Sequence, residues 1–129
     1  MKKLKQAESY VRVTDMDRAI KFYEKLLGVK IKMRYKDRWA TVLDDFGLYR
    51  PGFDKENDVE MTSIESDIKL GNNSIIVFHS SDIEEDYQRV KKLDITEISS
   101  IAELDLIAHY KFFHFKDPDG NMIEIGQYL

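Results

Sequence analysis

Two stretches of this chain start a helix in the same phase, and this repetition constrains the fold more than any other feature. Asp15 and Asp82, Ile20 and Tyr87, Tyr23 and Val90, and Leu26 and Leu93 are all separated by one constant interval. Each helical stretch follows an extended one. Val11 and Val13 alternate with Arg12 before Thr14-Asp15, and Ser74-Ile75-Ile76-Val77-Phe78 precedes Ser81-Asp82-Ile83-Glu84. The latter has the Ser-x-x-Glu spacing of a capping box, with Ser81 as the expected N-cap and Glu84 reaching back. A chain of 129 residues accommodates one domain or two half-size modules sharing a core, not two independent globular units. The repetition therefore points to paired modules.

The rest of the first half reads as helix, then strands. Ala19, Phe22, Tyr23 and Leu26 fall at helical spacing, and Gly28 suits a left-handed C-cap. Val29 to Tyr35 alternates apolar and basic residues, which predicts a strand with one wet face, and 38–43 and 46–49 read as two more short strands before Pro51-Gly52. The charged run 54–60 reads as a solvated loop or a lid, and Val59 to Ile64 as loop or extended segment. In the second half, Ile83, Tyr87, Val90 and Leu93 form a helical apolar stripe and 95–99 a short strand. Ile107 to Phe115 and Met122 to Ile125 make a hairpin around the turn Asp117-Pro118-Asp119-Gly120. These boundaries place module 1 at about 6–52, module 2 at about 72–128 and an irregular connection at 53–71.

Composition removes several kinds of function. Twenty Lys+Arg against 24 Asp+Glu give a net charge of -4, with no basic excess to neutralise a phosphate backbone, so nucleic acid is not an expected partner. Zero cysteines exclude disulfides, thiolate metal sites and a cysteine nucleophile, and three histidines limit imidazole chemistry. No apolar run approaches the roughly 18 residues that span a bilayer, and polar residues follow the basic start Met1-Lys2-Lys3-Leu4-Lys5. No membrane partner is expected, and the expected location is cytoplasmic.

Two motifs resemble a known family. Val11-Arg12-Val13-Thr14-Asp15-Met16 with Phe22-Tyr23-Glu24-Lys25-Leu26-Leu27-Gly28 is similar to the Val-x-Asp opening and Phe-Tyr-x-x-x-Leu-Gly ending of the vicinal oxygen chelate superfamily. Phe115-Lys116-Asp117-Pro118-Asp119-Gly120-Asn121-Met122-Ile123-Glu124-Ile125 is similar to its Asp-Pro-Asp-Gly-Asn-x-x-Glu hairpin. That superfamily includes glyoxalase I, bleomycin-resistance and fosfomycin-resistance proteins, and extradiol dioxygenases. The resemblance covers essentially the whole chain. It implies an α+β fold of two βαβββ modules whose curved mixed sheet surrounds a cavity, commonly completed by a second chain in a homodimer.

The resemblance also implies where a divalent metal would be held in metal-binding members, by side chains from equivalent strands of the two modules. Those positions fall on Glu8, on Ile75 (or Ser74 with a one-residue slip), on Glu124, and on Leu48 or Tyr49 in an open register. Glu8 and Glu124 are the only carboxylates among them, an incomplete set for zinc or nickel, so the expected cofactor is none or a weakly bound divalent metal.

Strand alternation nominates further residues. Glu124 lies between Ile123 and Ile125, so its carboxylate faces away from both and serves as base, anion or ligand, or pairs with Arg12 or a lysine. His114 alternates with Phe113 and Phe115 in the same way and either transfers protons or is structural. Glu8, Tyr10 and Arg12 share a strand face, where Arg12 grips an anionic group or pairs with Glu8 or Glu124. Trp39 stacks on a flat ligand or fills the core, and Tyr49 and Tyr110 complete the expected ligand-binding set; His79 and His109 are expected near the surface. The leading expectation is a small-molecule-binding protein without a standard metal centre. Glu124 and His114 are its catalytic candidates should it prove to be an enzyme. The alternatives are a metal-dependent lyase, isomerase or dioxygenase, and a regulatory or interaction domain.

Overall fold

A computed structural model describes residues 7–50, 75–105 and 108–129. The expectations for 53–71, for the 54–60 loop or lid and for Val59 to Ile64 lie outside these residues. The chain divides into two compact units, Met1–Glu60 and Met61–Leu129.

The first unit runs β1 (Ser9–Arg12), α1 (Met16–Leu27), β2 (Met33–Tyr35), β3 (Trp39–Leu43) and β4 (Phe46–Tyr49). Its sheet has the order β1-β4-β3-β2, with β1 parallel to β4 and the other pairs antiparallel. Both ends of α1 follow the sequence. The Asp15 carboxylate accepts from the Arg18 backbone N–H at 3.1 Å, and Gly28, at φ 66°, donates to the Glu24 carbonyl at 2.9 Å. The apolar stripe Met16, Ala19, Ile20, Phe22, Tyr23 and Leu26 is buried as α1 packs on β3 and β4, with the Tyr23 and Phe46 rings 5.2 Å apart. Val11, Ala40, Val42 and Leu48 complete this core. The expected strand from Val29 to Tyr35 is shorter, only Met33–Tyr35, and all three residues are exposed. The helix end captures its first half, because the Glu24 carboxylate accepts the Ile31 backbone N–H at 2.9 Å.

The second unit runs β5 (Ile75–His79), α2 (Ile83–Val90), β6 (Glu97–Ile98), β7 (Ala102–Asp105), β8 (His109–Lys116) and β9 (Met122–Tyr128). Its order is β5-β9-β8-β6, with β5 parallel to β9 and β7 also on β8. Strand β7 was not anticipated from the sequence. It and β6 share one edge of β8, since Glu97 and Ile98 pair with Lys116 and Phe115, and Ala102 pairs with Phe112. Together they are one edge strand broken by a bulge, so this unit keeps the βαβββ plan. Ser99 supports the break: its N–H donates to the His114 carbonyl at 2.8 Å while its hydroxyl accepts the His114 N–H at 3.0 Å.

The N-cap of α2 is Asp82, not Ser81, and its carboxylate accepts from the Glu85 N–H at 3.2 Å. Ile83 is buried, so the apolar stripe fixes the helix start and leaves Asp82 in the capping position, matching Asp15 at the repeat interval. Ser81 instead offers its carbonyl to Gln127 Nε2 at 2.8 Å, while Gln127 Oε1 accepts the Ile83 N–H at 2.9 Å. This clamp ties the helix start to β9. Leu93 lies beyond the helix, its N–H bonded to the Val90 carbonyl. In the 117–120 turn, Asp117 is fully buried and accepts the N–H groups of Asp119 and Asn121 at 2.9 and 2.8 Å; Gly120 adopts φ 85°.

Candidate functional site

The alternation along β8 and β9 sorts their side chains as the sequence predicts. Phe113, Phe115, Ile123 and Ile125 are buried on the side where α2 packs, with the Tyr87 and Phe113 rings 4.9 Å apart. Glu124 and His114 are direct cross-strand partners on the opposite face, together with Tyr110, Phe112, Gly126 and Tyr128. His79 on β5 pairs with Gly126 and shares that face.

Three of these side chains form one hydrogen-bonded group. The Tyr110 hydroxyl donates to Glu124 Oε2 at 2.7 Å, and His114 Nε2 lies 2.8 Å from Glu124 Oε1. The Glu124 side chain is 18% exposed and that of His114 34%, so the carboxylate is the more enclosed partner. Burial and the hydrogen bond to Glu124 push the Tyr110 phenol above the usual tyrosine range, which keeps it a proton donor. The surroundings are aromatic: Tyr110 stacks on Phe112 at 5.6 Å, and the His79 ring lies 5.4 Å from Tyr128 and 6.2 Å from Tyr110.

The Tyr110 bond depends on a residue that the sequence reading passed over. Tyr110 pairs with Tyr128, so its ring must lean across position 126 to reach Glu124. A Cβ at Gly126 would sit 1.7 Å from the Tyr110 hydroxyl oxygen and 2.1 Å from its Cζ. A glycine within a strand marks this kind of close approach, and that was the available signal. His79 and Tyr128 were likewise not anticipated as members of this face. His109 lies elsewhere, 3.0 Å from Glu103, whose carboxyl its hydrogen bond holds below the usual range.

In the first unit, Tyr10, Arg12, Trp39 and Tyr49 also share the face away from α1. The Tyr10 ring stands edge-on to Trp39 at 5.5 Å and to Tyr49 at 5.6 Å, and Arg12 is the cross-strand partner of Tyr49. The indole N–H donates to the Thr41 hydroxyl at 2.9 Å, and Trp39 is half-buried on this face, opposite the buried Ala40 and Val42. Glu8 is exposed and precedes β1, outside its pairing with β4.

The open register at the fourth family position is now resolved. Val13 and Ser80 stand at the repeat interval, and the Val13 N–H meets the Tyr49 carbonyl as the Ser80 N–H meets the Gly126 carbonyl, so Tyr49 corresponds to Gly126 and Gly47 to Glu124. Leu48 is buried on the helix side, and Tyr49 corresponds to Gly126, so neither occupies the ligand position. The four positions are then Glu8, Gly47, Ile75 and Glu124. Two carry no donor side chain, and both Glu124 oxygens are engaged by Tyr110 and His114. Among the described residues, no three or more of His, Cys, Asp and Glu are grouped to hold a metal ion. This donor set does not fit the divalent centre of the metal-binding relatives.

Paired βαβββ units with an acid on the last strand define a recognised class. The model of the Glyoxalase/Bleomycin resistance protein/Dioxygenase superfamily matches residues 3–125, and the chain belongs to that superfamily. It is similar to the uncharacterized protein YwbC of Bacillus subtilis (strain 168), with 28% identity over 91% of this chain and 92% of that protein. Among solved structures it is similar to the integron cassette protein VCH_CASS1 from the mobile metagenome of V. cholerae: 22% identity, TM-score 0.69, covering 100% of this chain and 98% of that one. It is also similar to TnmS3, an antibiotic binding protein from Streptomyces sp. CB03234: 18% identity, TM-score 0.62, covering 100% and 99%.

Proposed function

We propose that this protein binds a small organic molecule on the face built by Tyr110, Glu124 and His114, without the metal centre of its metal-binding relatives. The observation that carries this reading is the two-fold anchoring of Glu124. Holding a carboxylate at 18% exposure on an aromatic sheet face opposes the desolvation preference of that group. A sheet face serving only as packing surface has no use for such an arrangement, whereas a recognition surface does. Aromatic rings supply contact area, and a few fixed polar groups supply orientation. One structural neighbour is an antibiotic binding protein, which is in keeping with this use of the fold.

Amide chemical shifts test the reading during titration with a panel of flat aromatic compounds. Saturable shifts at Phe112, His114 and Gly126 are expected, weakened in Glu124→Gln. If every compound leaves these amides unmoved, or if saturable binding persists unchanged in the variant, the reading fails.

A further inference from the structure

The register of the first sheet puts one residue from each strand into a single cross-strand row. Arg12 pairs with Tyr49, Tyr49 with Trp39 and Trp39 with Tyr35, on β1, β4, β3 and β2 in turn. Direct partners share a face and strands lie about 4.8 Å apart, so the row runs about 14 Å across the side away from α1. It reads guanidinium, phenol, indole, phenol. The indole is held in place: its N–H is spent on the Thr41 hydroxyl at 2.9 Å, and its benzo edge rests over Gly47, where a Cβ would lie 2.5 Å from Cζ2. Tyr10, the partner of Gly47, stands edge-on to Trp39 at 70° and to Tyr49 at 80° and so walls one long side of the row. Tyr10 keeps 50% exposure and Tyr35 58%.

Charge decides what the row suits. The four strands hold no Asp or Glu, and their two cations go to opposite faces. Arg34 pairs with the buried Ala40 and reaches Asp17 of α1 at 2.8 Å, whereas Arg12 stands on the open side beside Tyr49. Glu8 is exposed and four residues before Arg12, roughly 13 Å along an extended chain, which exceeds the Debye length of about 8 Å at physiological salt. At the far end of the row the Lys36 ammonium lies 5.6 Å over the Tyr35 ring, and Arg34 engages Asp37 of the same turn at 3.0 Å. A guanidinium carries five N–H donors in a planar fork, more than a single acceptor engages, and the fork matches a carboxylate. The face is therefore an aromatic platform with a cation at its β1 end.

We propose that this row is a binding site for a flat aromatic carboxylate, whose fused rings lie on Trp39 and Tyr49 against the Tyr10 wall and whose carboxylate takes the Arg12 fork. The proposal goes beyond the reading above, which concerns the other unit and a face that carries an acid. Ring stacking supplies contact area in both cases, but here the polar anchor is a cation, so the two faces select ligands of opposite charge character.

The test uses the ¹⁵N-labelled full chain with 2-naphthoate and its uncharged amide, 2-naphthamide. Trp39 is the only tryptophan, so its indole N–H signal reports this face directly. 2-Naphthoate is expected to shift that signal and the Gly47 amide saturably. It should bind about tenfold more tightly than 2-naphthamide at low salt, because charge-assisted pairs are roughly twice as strong as neutral ones, and the ratio should narrow as salt is raised. Arg12→Gln should bring the ratio close to one, Arg12→Lys should keep part of it, and Trp39→Leu should weaken both compounds alike. No saturable shift with 2-naphthoate, equal affinities in the parent protein, or a ratio that ignores salt or survives Arg12→Gln would each overturn the proposal. An indole signal that moves with protein concentration alone would do the same, since a second copy would then cover the face. Shifts confined to Phe112, His114 and Gly126 would overturn it too, while leaving the reading for the other unit standing.

Discussion

Replacing Gly126 by alanine isolates the contribution of the Tyr110 to Glu124 bond through a single methyl group. The new Cβ would lie 1.7 Å from the Tyr110 hydroxyl oxygen and 2.1 Å from Cζ, so the ring has to swing away. The 2.7 Å bond to Glu124 Oε2 is then lost. A hydrogen bond to a charged group contributes about 1.5–3 kcal/mol, and reduced backbone freedom in the unfolded chain offsets this by about 0.4–1 kcal/mol. The expected net loss is about 1–2 kcal/mol in urea unfolding. A cycle with Tyr110→Phe localises it, because Gly126→Ala should cost less where no hydroxyl remains to be displaced. Spectroscopic titration of the tyrosines supplies a second reading: one high-pKa phenol in the parent protein should return toward the ordinary value of about 10 in Gly126→Ala. Unchanged stability together with an unchanged phenol titration would refute the account of Gly126.

Three further predictions follow from the same structure. Because the folded state raises the Tyr110 pKa, its contribution to stability is present below the unfolded value near 10 and falls as pH rises beyond it; the urea midpoint of Tyr110→Phe should therefore decline less steeply than that of the parent above about pH 10, and parallel declines would contradict the assignment. Asp117→Ala should lower unfolding free energy by on the order of 3 kcal/mol, since it orphans the buried N–H group of Asn121 and the part-buried one of Asp119, and a loss below about 0.5 kcal/mol in denaturant titration would count against that role. Dialysis against a chelator should leave the melting temperature unchanged, and millimolar divalent ions should add no more than about 1 °C; a rise of several degrees with one ion would show a site that the donor set does not suggest.

The parts of this fold legible in the sequence were those set by local rules. Asp15 and Gly28 mark the ends of α1 because capping depends on the identity of one residue and its neighbours. Glu124 and His114 were assigned to the open face by strand parity alone, and their pairing confirms that they share it. Where two local rules competed, parity and capping did not suffice. Ser81 and Asp82 both suit an N-cap, and burial of Ile83 decided between them. The alternation from Val29 to Tyr35 was overridden by one carboxylate, Glu24, reaching seven residues along the chain. Features that need cross-strand register were not legible: the bulge at Ser99, the strand Ala102–Asp105, and the diagonal reach of Tyr110 over Gly126. The fourth family position also became Gly47 only once the β1 and β4 register was known.

Gly47 and Glu124 occupy matching places on one architectural plan, yet they equip their halves differently. Over Gly47 the indole of Trp39 lies so close that a Cβ there would fall 2.5 Å from its ring, whereas Glu124 carries an acid held by two neighbours. At this one equivalent place the two units therefore differ in kind: the first lays an aromatic plate on bare main chain, and the second carries an ionisable group. Exchanging the two residues would therefore damage each copy in its own way, by collision in the first and by loss of charge in the second.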